Sequence, residues 1–486
     1  MVAKTGAGNT IRTLQCISLE EIGRFIRLGL PEGYTAVVGQ RFLITMDINF
    51  FMFDIALIDD AIISDTFSGG GGTSSRQLAT RLARRYKVLY LPKASVFFGM
   101  NEERKAILNE GVEKIELMGM AVSRAFQELL KDSNELSIGE FINLRRRLID
   151  TYGTEIKEAK IAYDNDFSPS MFPSPSFRGE ILELAFSGRA KKIGLAFQGF
   201  SDINKLNRIE VCKTIIKNEP KSIISSEALP RYLSFMFHPE YGTYLIKNLL
   251  NLECLAFVAI TNESVIEENP QLSMLGRKLV VLFPGEASRF EVMGIKPRKQ
   301  NYAIFFARLV PEKGLFEIPR ILEEIKNCYG FELELHVIGK FRYGIDEHTF
   351  YRMLKKNNVR SHVKLLGFLN DHDLRNEIQG SKVFIYPSHS DSYSLAICEC
   401  LALKTQVVAY DIPSFRNLYS GIDAVTLVKE YDFHSMASAV VDILNQSEDV
   451  YFSKFESEFV KRFISLHSNY DNVFTSLCKI IDNHLT

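Results

Sequence analysis

The chain has 486 residues, with 58 basic and 59 acidic side chains, and 46% of its residues are hydrophobic. These are the proportions of a globular protein, and the net charge of −1 gives no reason to expect nucleic acid as the principal partner. The length exceeds what one ordinary hydrophobic core supports, so the sequence predicts two domains.

The seven cysteines are scattered, and their spacing is not that of a metal site. An odd, scattered count favours a reducing compartment. The N-terminus lacks the apolar core of a signal peptide, and no apolar run is long enough to cross a membrane. We therefore expect a soluble cytoplasmic protein that holds no metal ion.

The first 50 residues are hard to place. A helix is predicted over Leu19–Leu30, ended by Pro31-Glu32-Gly33. We interpret this region as an N-terminal extension or cap, and the sequence assigns it no function.

A glycine-rich loop follows the first strand of the predicted N-terminal domain. The strand covers Asp54–Asp59, the loop Ser68–Thr73, the next helix Ser75–Tyr86 and the next strand Lys87–Leu91. Glycines let the backbone approach a ligand closely, and the N–H groups at the start of a helix can hold a diphosphate. A flexible connection explains four consecutive glycines equally well.

The helix after this loop is basic, and a second basic cluster lies further along. Exposed aromatic side chains are predicted at Phe97 and Phe98. A solvated protein surface is the commoner explanation of such basic clusters. Attachment to an anionic membrane surface is the alternative. The basic residues are Arg76, Arg81, Arg84, Arg85 and Lys87, followed by Arg145, Arg146 and Arg147.

Further strands complete the first domain. Those at Lys160–Tyr163 and Ile193–Phe197 lead into polar loops, and the Pro/Ser-rich segment 167–177 between them is predicted to be a mobile loop. Two more strands are predicted at Leu255–Ile260 and Lys278–Phe283. The segment that follows them contains Gly, Pro and alternating charge, and we interpret it as a linker.

The second domain opens with the predicted strand Tyr302–Phe306, which is followed by Arg308 and Lys313. Two cations at this spacing are compatible with ordinary surface charge. A later strand, Val363–Leu366, leads into the turn Gly367-Phe368-Leu369.

A strand, a polar loop, a helix and a second strand come next. The strands are predicted at Val383–Tyr386 and Gln406–Tyr410, and the loop at 388–392. Open α/β sheets bind ligands in loops at the carboxyl ends of their strands. Asp391 lies in this loop and Glu399 about two helical turns later, so both are expected to face one crevice. A helix N-cap and one solvated acid are the alternative interpretation.

The stretch from Pro387 to Ala409 resembles the signature of the family-4 retaining glycosyltransferases of GT-B fold. That family has two carboxylates eight residues apart between a Pro-Ser pair and a valine-rich strand, as Asp391 and Glu399 are here. Three positions depart from the pattern: Asp391 stands where Glu is usual, and Lys404 and Gln406 stand where Gly and Pro are usual. The first change keeps the charge on a side chain shorter by one methylene, and the other two affect a turn.

The resemblance covers the chain from about Asp54 to its end and implies an α/β fold of the GT-B type. Two Rossmann-like domains are expected to face each other across a cleft, and the C-terminal helix is expected to cross back to the first domain. The expected regions are an extension or cap (1–50), an N-terminal acceptor-binding domain (51–290), a linker (291–300), a C-terminal nucleotide-sugar-binding domain (301–450) and the crossing helix (451–486).

The resemblance also implies a donor site. Arg308 and Lys313 match the family motif that places two cations on the donor diphosphate. Asp391 matches the carboxylate that touches the donor sugar, Glu399 matches the one that holds the ribose, and the turn at Gly367 matches the one that binds the base. The other residues expected at the donor site are Gly71, Gly72, Phe368, Ser392, Tyr393, Ser394 and Leu395.

One expected catalytic position carries an unusual residue. The family commonly has His-Gly after the strand matched by Ile193–Phe197, whereas this chain has Gln198-Gly199 and no histidine before His238. Gln198 can hydrogen-bond a sugar hydroxyl or stabilise developing charge, but it cannot titrate.

The implied activity is retaining transfer of a hexose from a nucleotide-diphosphate sugar, with UDP or GDP as the nucleotide and without a cofactor. The acceptor, a lipid-linked saccharide, a glycan or a small molecule, is expected near Gln198 and the 164–177 loop. A non-catalytic nucleotide-sugar- or glycan-binding subunit of the same fold is the main alternative, and Gln198 favours it. A dehydrogenase is disfavoured because the glycines at 69–72 do not have the G-x-G-x-x-G spacing.

Overall fold

A computed structural model of the chain describes residues 2–5, 11–15, 34–35, 52–63, 70–97, 99–133, 136–165, 180–197, 241–292, 294, 296–341 and 347–485. The predicted helix Leu19–Leu30, the 167–177 loop and Gln198 lie outside these residues. Residues 1–50 form one compact unit and residues 51–486 form another. In the first unit a small antiparallel sheet has the order β2-β1-β3, with β1 at Val2–Thr5, β2 at Ile11–Gln15 and β3 at Tyr34–Thr35.

The larger unit begins with a parallel sheet whose described strands have the order β10-β9-β8-β7-β4-β5-β6. Every residue of β5 and β8 is buried, as expected for a parallel sheet covered by helices on both faces. The elements are β4 (Phe53–Asp59), α1 (Gly70–Arg85), β5 (Val88–Pro92), α2 (Glu102–Leu117), β6 (Ala121–Val122), α3 (Arg124–Asp132), α4 (Ile138–Glu155), β7 (Ala159–Asp164), α5 (Glu180–Phe186), β8 (Ile193–Phe197), α6 (Tyr241–Leu250), β9 (Leu255–Ile260), α7 (Ser264–Glu268) and β10 (Leu279–Val281).

A second parallel sheet follows, with the order β13-β12-β11-β14-β15-β16. Local signals delimit its helices: α8 ends just before Gly330, which has a φ of 61°, and the Asp432 side chain caps the start of α13. The elements are β11 (Gln300–Phe306), α8 (Ile318–Tyr329), β12 (Glu334–Ile338), α9 (Glu347–Lys356), β13 (Val363–Gly367), α10 (Asp371–Gly380), β14 (Ser381–Tyr386), α11 (Leu395–Ala402), β15 (Gln406–Tyr410), α12 (Pro413–Tyr419), β16 (Val425–Val428), α13 (Phe433–Asn445), α14 (Glu448–Ser453), α15 (Glu458–Leu466) and α16 (Tyr470–Leu485).

Each sheet has its own hydrophobic core, and the C-terminal helices divide between them. Val460 and Ile464 of α15 are buried in the core of the second sheet. Val473, Leu477 and Ile481 of α16 are buried in the core of the first sheet. The prediction of two parallel α/β domains, with a C-terminal helix that crosses back to the first, is therefore confirmed.

Three local predictions were wrong. Helix α1 begins at Gly70, five residues earlier than predicted, so Gly71, Gly72 and Thr73 form part of its first turn and not a loop. Phe97 is fully buried, because it packs against Phe126 with the ring centroids 5.1 Å apart, and it is not an exposed aromatic.

The strand predicted at Lys278–Phe283 is shorter, since β10 covers only Leu279–Val281. The residues before it form 3-10 turns that are broken at Gly276, where φ is 53°. Lys278 still belongs to these turns, and the N–H of Phe283 donates to the Ser476 hydroxyl and not to a neighbouring strand.

Candidate active site

The predicted donor-site loops leave the middle of the second sheet. Strands β11 and β14 are neighbours there, and the chain continues from them to opposite sides of the sheet, to β12 and to β15. Ligands of open α/β sheets bind at such switch points, outside the carboxyl ends of the strands. The loop after β11 carries Arg308 and Lys313, and the loop after β14 carries Asp391. The topology thus supplies a physical reason for a site at these residues.

The two loops pack directly against each other. The backbone N–H of His389 donates to the carbonyl oxygen of Glu312 over 2.9 Å. Gly314 has a φ of 82°, and a Cβ atom at this position would lie 2.1 Å from the carbonyl oxygen of Pro387. Only glycine satisfies both the left-handed backbone and the close approach. Gly314 therefore permits the contact that brings Lys313 to the second loop.

Lys313 and Asp391 form an ion pair. Lys313 Nζ lies 2.9 Å from Asp391 Oδ2 and 2.8 Å from the carbonyl oxygen of Ser390. The Tyr386 hydroxyl donates to the same Asp391 oxygen over 2.7 Å. Burial raises the pKa of Asp391, but Lys313 and the Tyr386 hydroxyl outweigh it, so the pKa lies below its usual value. Two residues predicted to serve the donor are thus brought into contact, and Asp391 is ionised at neutral pH.

The second cation of the motif is available for an anion. Arg308 is exposed and forms no ion pair within the described part of the chain. It is close enough to Lys313 to lower the pKa of that lysine, although burial of Lys313 lowers it more. A phosphate group that approached both side chains would relieve this repulsion between like charges.

Asp391 also shapes the start of helix α11. Its Oδ1 accepts from the backbone N–H of Ser394 over 3.1 Å, and Ser394 in turn caps the helix by accepting from the N–H of Ile397. Ser394 has a φ of 63°, a conformation that costs a non-glycine residue about 1 kcal/mol or more. The Ser414 hydroxyl and the Tyr419 hydroxyl hold the loop by donating to the carbonyl oxygens of Asp391 and Tyr393.

Glu399 is buried and paired, so the prediction of one solvated helix acid is excluded. Its exposed fraction is 1%, and Arg289 binds both of its oxygens, with Nε–Oε1 at 2.7 Å and Nη2–Oε2 at 3.3 Å. The remaining Arg289 nitrogen, Nη1, lies 2.6 Å from Asp371 Oδ1. Sequence reasoning missed Arg289, which lies 110 positions before Glu399. The available signal was an acid on an otherwise apolar helix, because such an acid requires a cation.

The predicted base turn presents an exposed ring. Gly367 ends β13 with a φ of 68°, and Phe368 is 56% exposed. Lys340 Nζ lies 4.8 Å from the centroid of the Phe368 ring. An exposed aromatic face at the carboxyl edge of the sheet can stack on a planar base.

The second domain matches a known protein family. Residues 290–456 match the model of the family described as glycosyl transferases group 1. This range contains Arg308, Lys313, Asp391 and Glu399. The match covers the second domain, which we call the group 1 domain.

Curated relatives match about a third of the chain. O-antigen biosynthesis glycosyltransferase WclY of Escherichia coli is 23% identical over 193 residues, which are 38% of this chain and 52% of WclY. Phosphatidyl-myo-inositol mannosyltransferase of Mycolicibacterium smegmatis is 25% identical over 154 residues, which are 31% of this chain and 38% of that enzyme. The matched region thus spans about half or less of the length of these relatives.

Solved structures resemble both domains together. Sucrose-phosphate synthase from Thermosynechococcus elongatus has a TM-score of 0.61 at 12% identity, over 88% of this chain and 98% of that one. HepE of Anabaena, solved with UDP and glucose, has a TM-score of 0.58 at 11% identity, over 88% of this chain and 100% of that one. At these identities the likeness shows the fold, and the fold is GT-B.

The group 1 domain contains a buried histidine that sequence reasoning missed. His389 lies in the loop after β14, with Nδ1 2.8 Å from Glu430 and Nε2 3.3 Å from Glu317. Burial lowers its pKa, but the two carboxylates outweigh burial and raise it to about 9. The imidazolium therefore fixes the loop to two neighbouring segments.

The start of α1 is bound to the segment just before the linker and to α16. The Ser74 hydroxyl donates to Glu286 Oε1 over 2.8 Å, and the Tyr470 hydroxyl donates to Glu286 Oε2 over 3.0 Å. Asn165, just beyond β7, donates to the Ser75 hydroxyl. Gly71 and Gly72 lie in the helical turn before Ser74. Their role at the diphosphate stays a prediction.

Charged groups are buried at the carboxyl edge of the first sheet. Lys93 and Asp164 are both fully buried and lie 2.7 Å apart. Burial, more than the neighbouring Asp60, raises the pKa of Asp59 to about 7. Asp59 accepts from the N–H groups of Ala61 and Ile62, which assigns it to a turn. Gln198 lies outside the described residues.

The basic helix α1 is partly neutralised by the C-terminal helix. Arg81 pairs with Asp471 at 2.6 Å, and Arg85 pairs with Asp482 at 2.7 Å. Arg145 of the second cluster pairs with Glu183. These pairs reduce the positive charge available to a membrane surface. Among the described helices, none is long and apolar enough to span a membrane.

Proposed function

We propose that the protein is a retaining glycosyltransferase that moves a hexose from a nucleotide-diphosphate sugar to a lipid-linked saccharide, a glycan or a small-molecule acceptor. The observation that carries this proposal is the Lys313–Asp391 ion pair beside Arg308, at the switch point of a group 1 domain. A cation pair and an ionised carboxylate at one sheet edge suit a diphosphate attached to a sugar.

The two cations serve the departing diphosphate. Breaking a sugar–diphosphate bond builds negative charge on the leaving group, and preorganised cations that stabilise such charge usually supply the largest part of the rate enhancement. The Arg308 guanidinium can donate two hydrogen bonds to one phosphate group, and the Lys313 ammonium acts as a point charge. Gly71 and Gly72 at the start of α1 would add backbone N–H groups.

Asp391 serves the donor sugar. Without a donor, its carboxylate opposes the effect of burial on Lys313 and favours the charged form of that lysine. A diphosphate would compete for Lys313 Nζ, and Asp391 would then have an oxygen available for a sugar hydroxyl. Asp391 is thus both the ion-pair partner of Lys313 and a hydrogen-bond acceptor for a hydroxyl of the donor hexose.

Glu399 binds the ribose of the nucleotide. Phe368 and the turn at Gly367 bind the base. Glu399 belongs to the same loop–helix unit as Asp391, which fits adjacent parts of one nucleotide sugar. The nucleotide is UDP or GDP, and no cofactor takes part. HepE, which shares the fold, was solved with UDP and glucose, and this supports a nucleotide-sugar donor.

Transfer would proceed on the front face of the sugar, assisted by the departing phosphate. Each of the two carboxylates at the site already has a cation partner, so neither resembles an activated nucleophile. Front-face transfer retains the anomeric configuration. Gln198 would hold the acceptor or stabilise charge.

The acceptor class and the location of the protein are proposed from its relatives and from the charge of α1. The relatives named above act in O-antigen biosynthesis and on phosphatidyl-myo-inositol, which supports a lipid-linked acceptor at the cytoplasmic face of a membrane. Within the described residues, Arg76 and Arg84 of α1 form no ion pair, in contrast to Arg81 and Arg85. Equal flotation with anionic and neutral liposomes would contradict membrane attachment.

The test is a panel of UDP- and GDP-sugars, with binding and sugar release measured for the wild type, Glu399→Ala and Gln198→Ala. We expect one donor to be selected and its binding to be lost in Glu399→Ala. The matched control is Glu458→Ala, because that glutamate is 95% exposed on α15. NMR of the product's anomeric carbon tests retention. No binding of any nucleotide sugar by the wild type would overturn the proposal.

A non-catalytic binding subunit is the second candidate, and Gln198 in place of the family's histidine favours it. The two candidates differ in turnover. Tight donor binding without transfer, with lipid and glycan acceptors supplied, would establish the binding subunit.

A further inference from the structure

We propose that Arg289 is a positioning residue of the donor site, which fixes the Glu399 carboxylate in the orientation that receives the ribose of the nucleotide. The proposal rests on the function proposed above. It adds a residue that lies outside the resemblance to the family signature and outside the predicted second domain.

The geometry of the pair is that of a fork on a carboxylate. Arg289 Nε and Nη2 bind the two oxygens of Glu399 at 2.7 and 3.3 Å. An ionised carboxylate has about four acceptor positions, and the fork uses two of them. The remaining positions can accept the two hydroxyls of a ribose. The arginine therefore orients the carboxylate without occupying it fully.

The charge of the pair matters because Glu399 is buried. Burial raises the pKa of Glu399 and Arg289 lowers it by less, so the pKa lies above its usual value. Without the guanidinium, a carboxylate with 1% exposure would lie unpaired in the interior and would take up a proton more readily. A protonated carboxyl loses acceptor capacity. The ionisable groups close to Glu399 are Arg289, Asp371, Tyr470, Cys398 and Cys400.

Arg289 is itself held in place by its own segment. The N–H of Ser288 donates to the carbonyl oxygen of His467 over 2.7 Å. Phe290 is buried in the core of the second sheet, and its ring lies 5.1 Å from the Arg289 guanidinium. Residues on both sides of Arg289 are thus anchored, so its fork is preorganised.

The third contact connects Arg289 to the predicted base turn. Asp371, 2.6 Å from Arg289 Nη1, is the first residue of α10, and α10 follows the turn at Gly367 and Phe368. The Asp371 side chain is 72% exposed, so this pair alone adds little stability. It does join the predicted ribose ligand and the predicted base turn through one side chain.

The experiment is titration of UDP and GDP into the full-length protein at a series of pH values on both sides of neutrality, because the pKa of the buried Glu399 carboxyl is raised. The variants are Arg289→Ala, Arg289→Lys, Glu399→Gln and the double variant. Arg189→Ala is the matched control, because Arg189 forms a pair with Asp150 at the surface of the first domain. Circular dichroism checks that each variant is folded.

We expect Arg289→Ala to lose about tenfold or more in nucleotide affinity at pH 7, the usual scale for a lost hydrogen bond to a charged group. Part of the loss should return as the pH rises, because Glu399 then ionises. Arg289→Lys should lose less. In the Glu399→Gln background, the change of Arg289 should cause no further loss of nucleotide affinity, because Arg289 acts through the Glu399 carboxylate.

The outcomes separate the two proposals. Nucleotide binding by the wild type, with unchanged affinity and pH profile in Arg289→Ala, would overturn the role of Arg289 and leave the proposed function standing. Equal losses from the arginine change in the wild-type and Glu399→Gln backgrounds would overturn it as well. Failure of the wild type to bind either nucleotide would overturn the proposed function itself. If Arg289→Ala does not fold, Arg289→Lys and the double variant give the same comparison.

Discussion

The Tyr393 hydroxyl lies 2.5 Å from Nδ1 of His467, and this hydrogen bond joins the predicted donor loop to the segment that crosses to the first domain. His467 immediately follows α15, and its backbone carbonyl accepts from Ser288, which lies just before the linker. The donor loop, the segment before the linker and the crossing segment therefore meet at one buried residue, His467. A change in the protonation of His467 is expected to affect all three.

His467 should make the protein less stable in mild acid. Burial lowers its pKa from 6.5 to about 4 in the folded protein. The stabilising contribution of the neutral ring is full above pH 6.5 and is lost as the pH falls through about 4, because only the unfolded chain then gains the proton. The free energy of unfolding should fall by up to about 3 kcal/mol from this group.

Urea denaturation at several pH values measures this effect. The comparison is with His467→Gln, which cannot titrate in this range. Parallel pH dependence in the wild type and the variant would show that His467 contributes none of it.

His389 should have the opposite pH dependence. Its pKa is raised to about 9 by Glu317 and Glu430, so the imidazolium stabilises the fold fully below pH 6.5, and this stabilisation is lost as the pH rises through about 9. We expect the free energy of unfolding of the wild type, but not of His389→Gln, to fall between these values. The measurement is the same denaturation series in alkaline buffer. An equal fall in both proteins would exclude His389 as its source.

The sequence predicted the sheets well because their strands are short apolar runs. Every residue of β5, β8 and β15 is buried, so the local pattern and the tertiary environment agree. Lys313 and Asp391 were also predictable as site residues, since they follow such strands. Their ion pair was not predictable, because it depends on the close contact between the backbones of Gly314 and Pro387.

The missed residues share one physical cause. Arg289 and His389 act through partners distant in the sequence, at 110 and 41 positions. Local periodicity carries no information about such pairs. Phe97 was wrongly predicted to be exposed for a similar reason, since its burial depends on the later helix α3. Ion pairs and aromatic contacts of this kind are properties of the folded chain.

Gly314→Ala should destabilise the protein and weaken nucleotide binding together. The new Cβ atom would lie 2.1 Å from the Pro387 carbonyl oxygen, so one loop must move away from the other. We expect a loss of about 2–4 kcal/mol in the free energy of unfolding. Gly330→Ala is the control, because Gly330 has a similar φ of 61° but no atom within 4 Å of an added Cβ. It should lose only about 1 kcal/mol.

Denaturant unfolding and UDP or GDP titration of both glycine variants check this. If Gly330→Ala is as damaging as Gly314→Ala, the left-handed backbone is responsible and not the contact between the loops.

Asp391→Asn and Asp391→Glu should separate the charge of this residue from its reach. Asparagine keeps the shape but removes the charge, which leaves the buried Lys313 without its carboxylate. We expect transfer to fall by about a hundredfold or more, as is usual when a preorganised charge at the reacting centre is lost. Glutamate keeps the charge on a side chain longer by one methylene and is the family's usual residue, so it should retain much more activity. Steady-state transfer rates with the selected donor measure both. Equal activity of Asp391→Asn and the wild type would mean that this carboxylate does not serve the donor sugar, and that its pairing with Lys313 is structural.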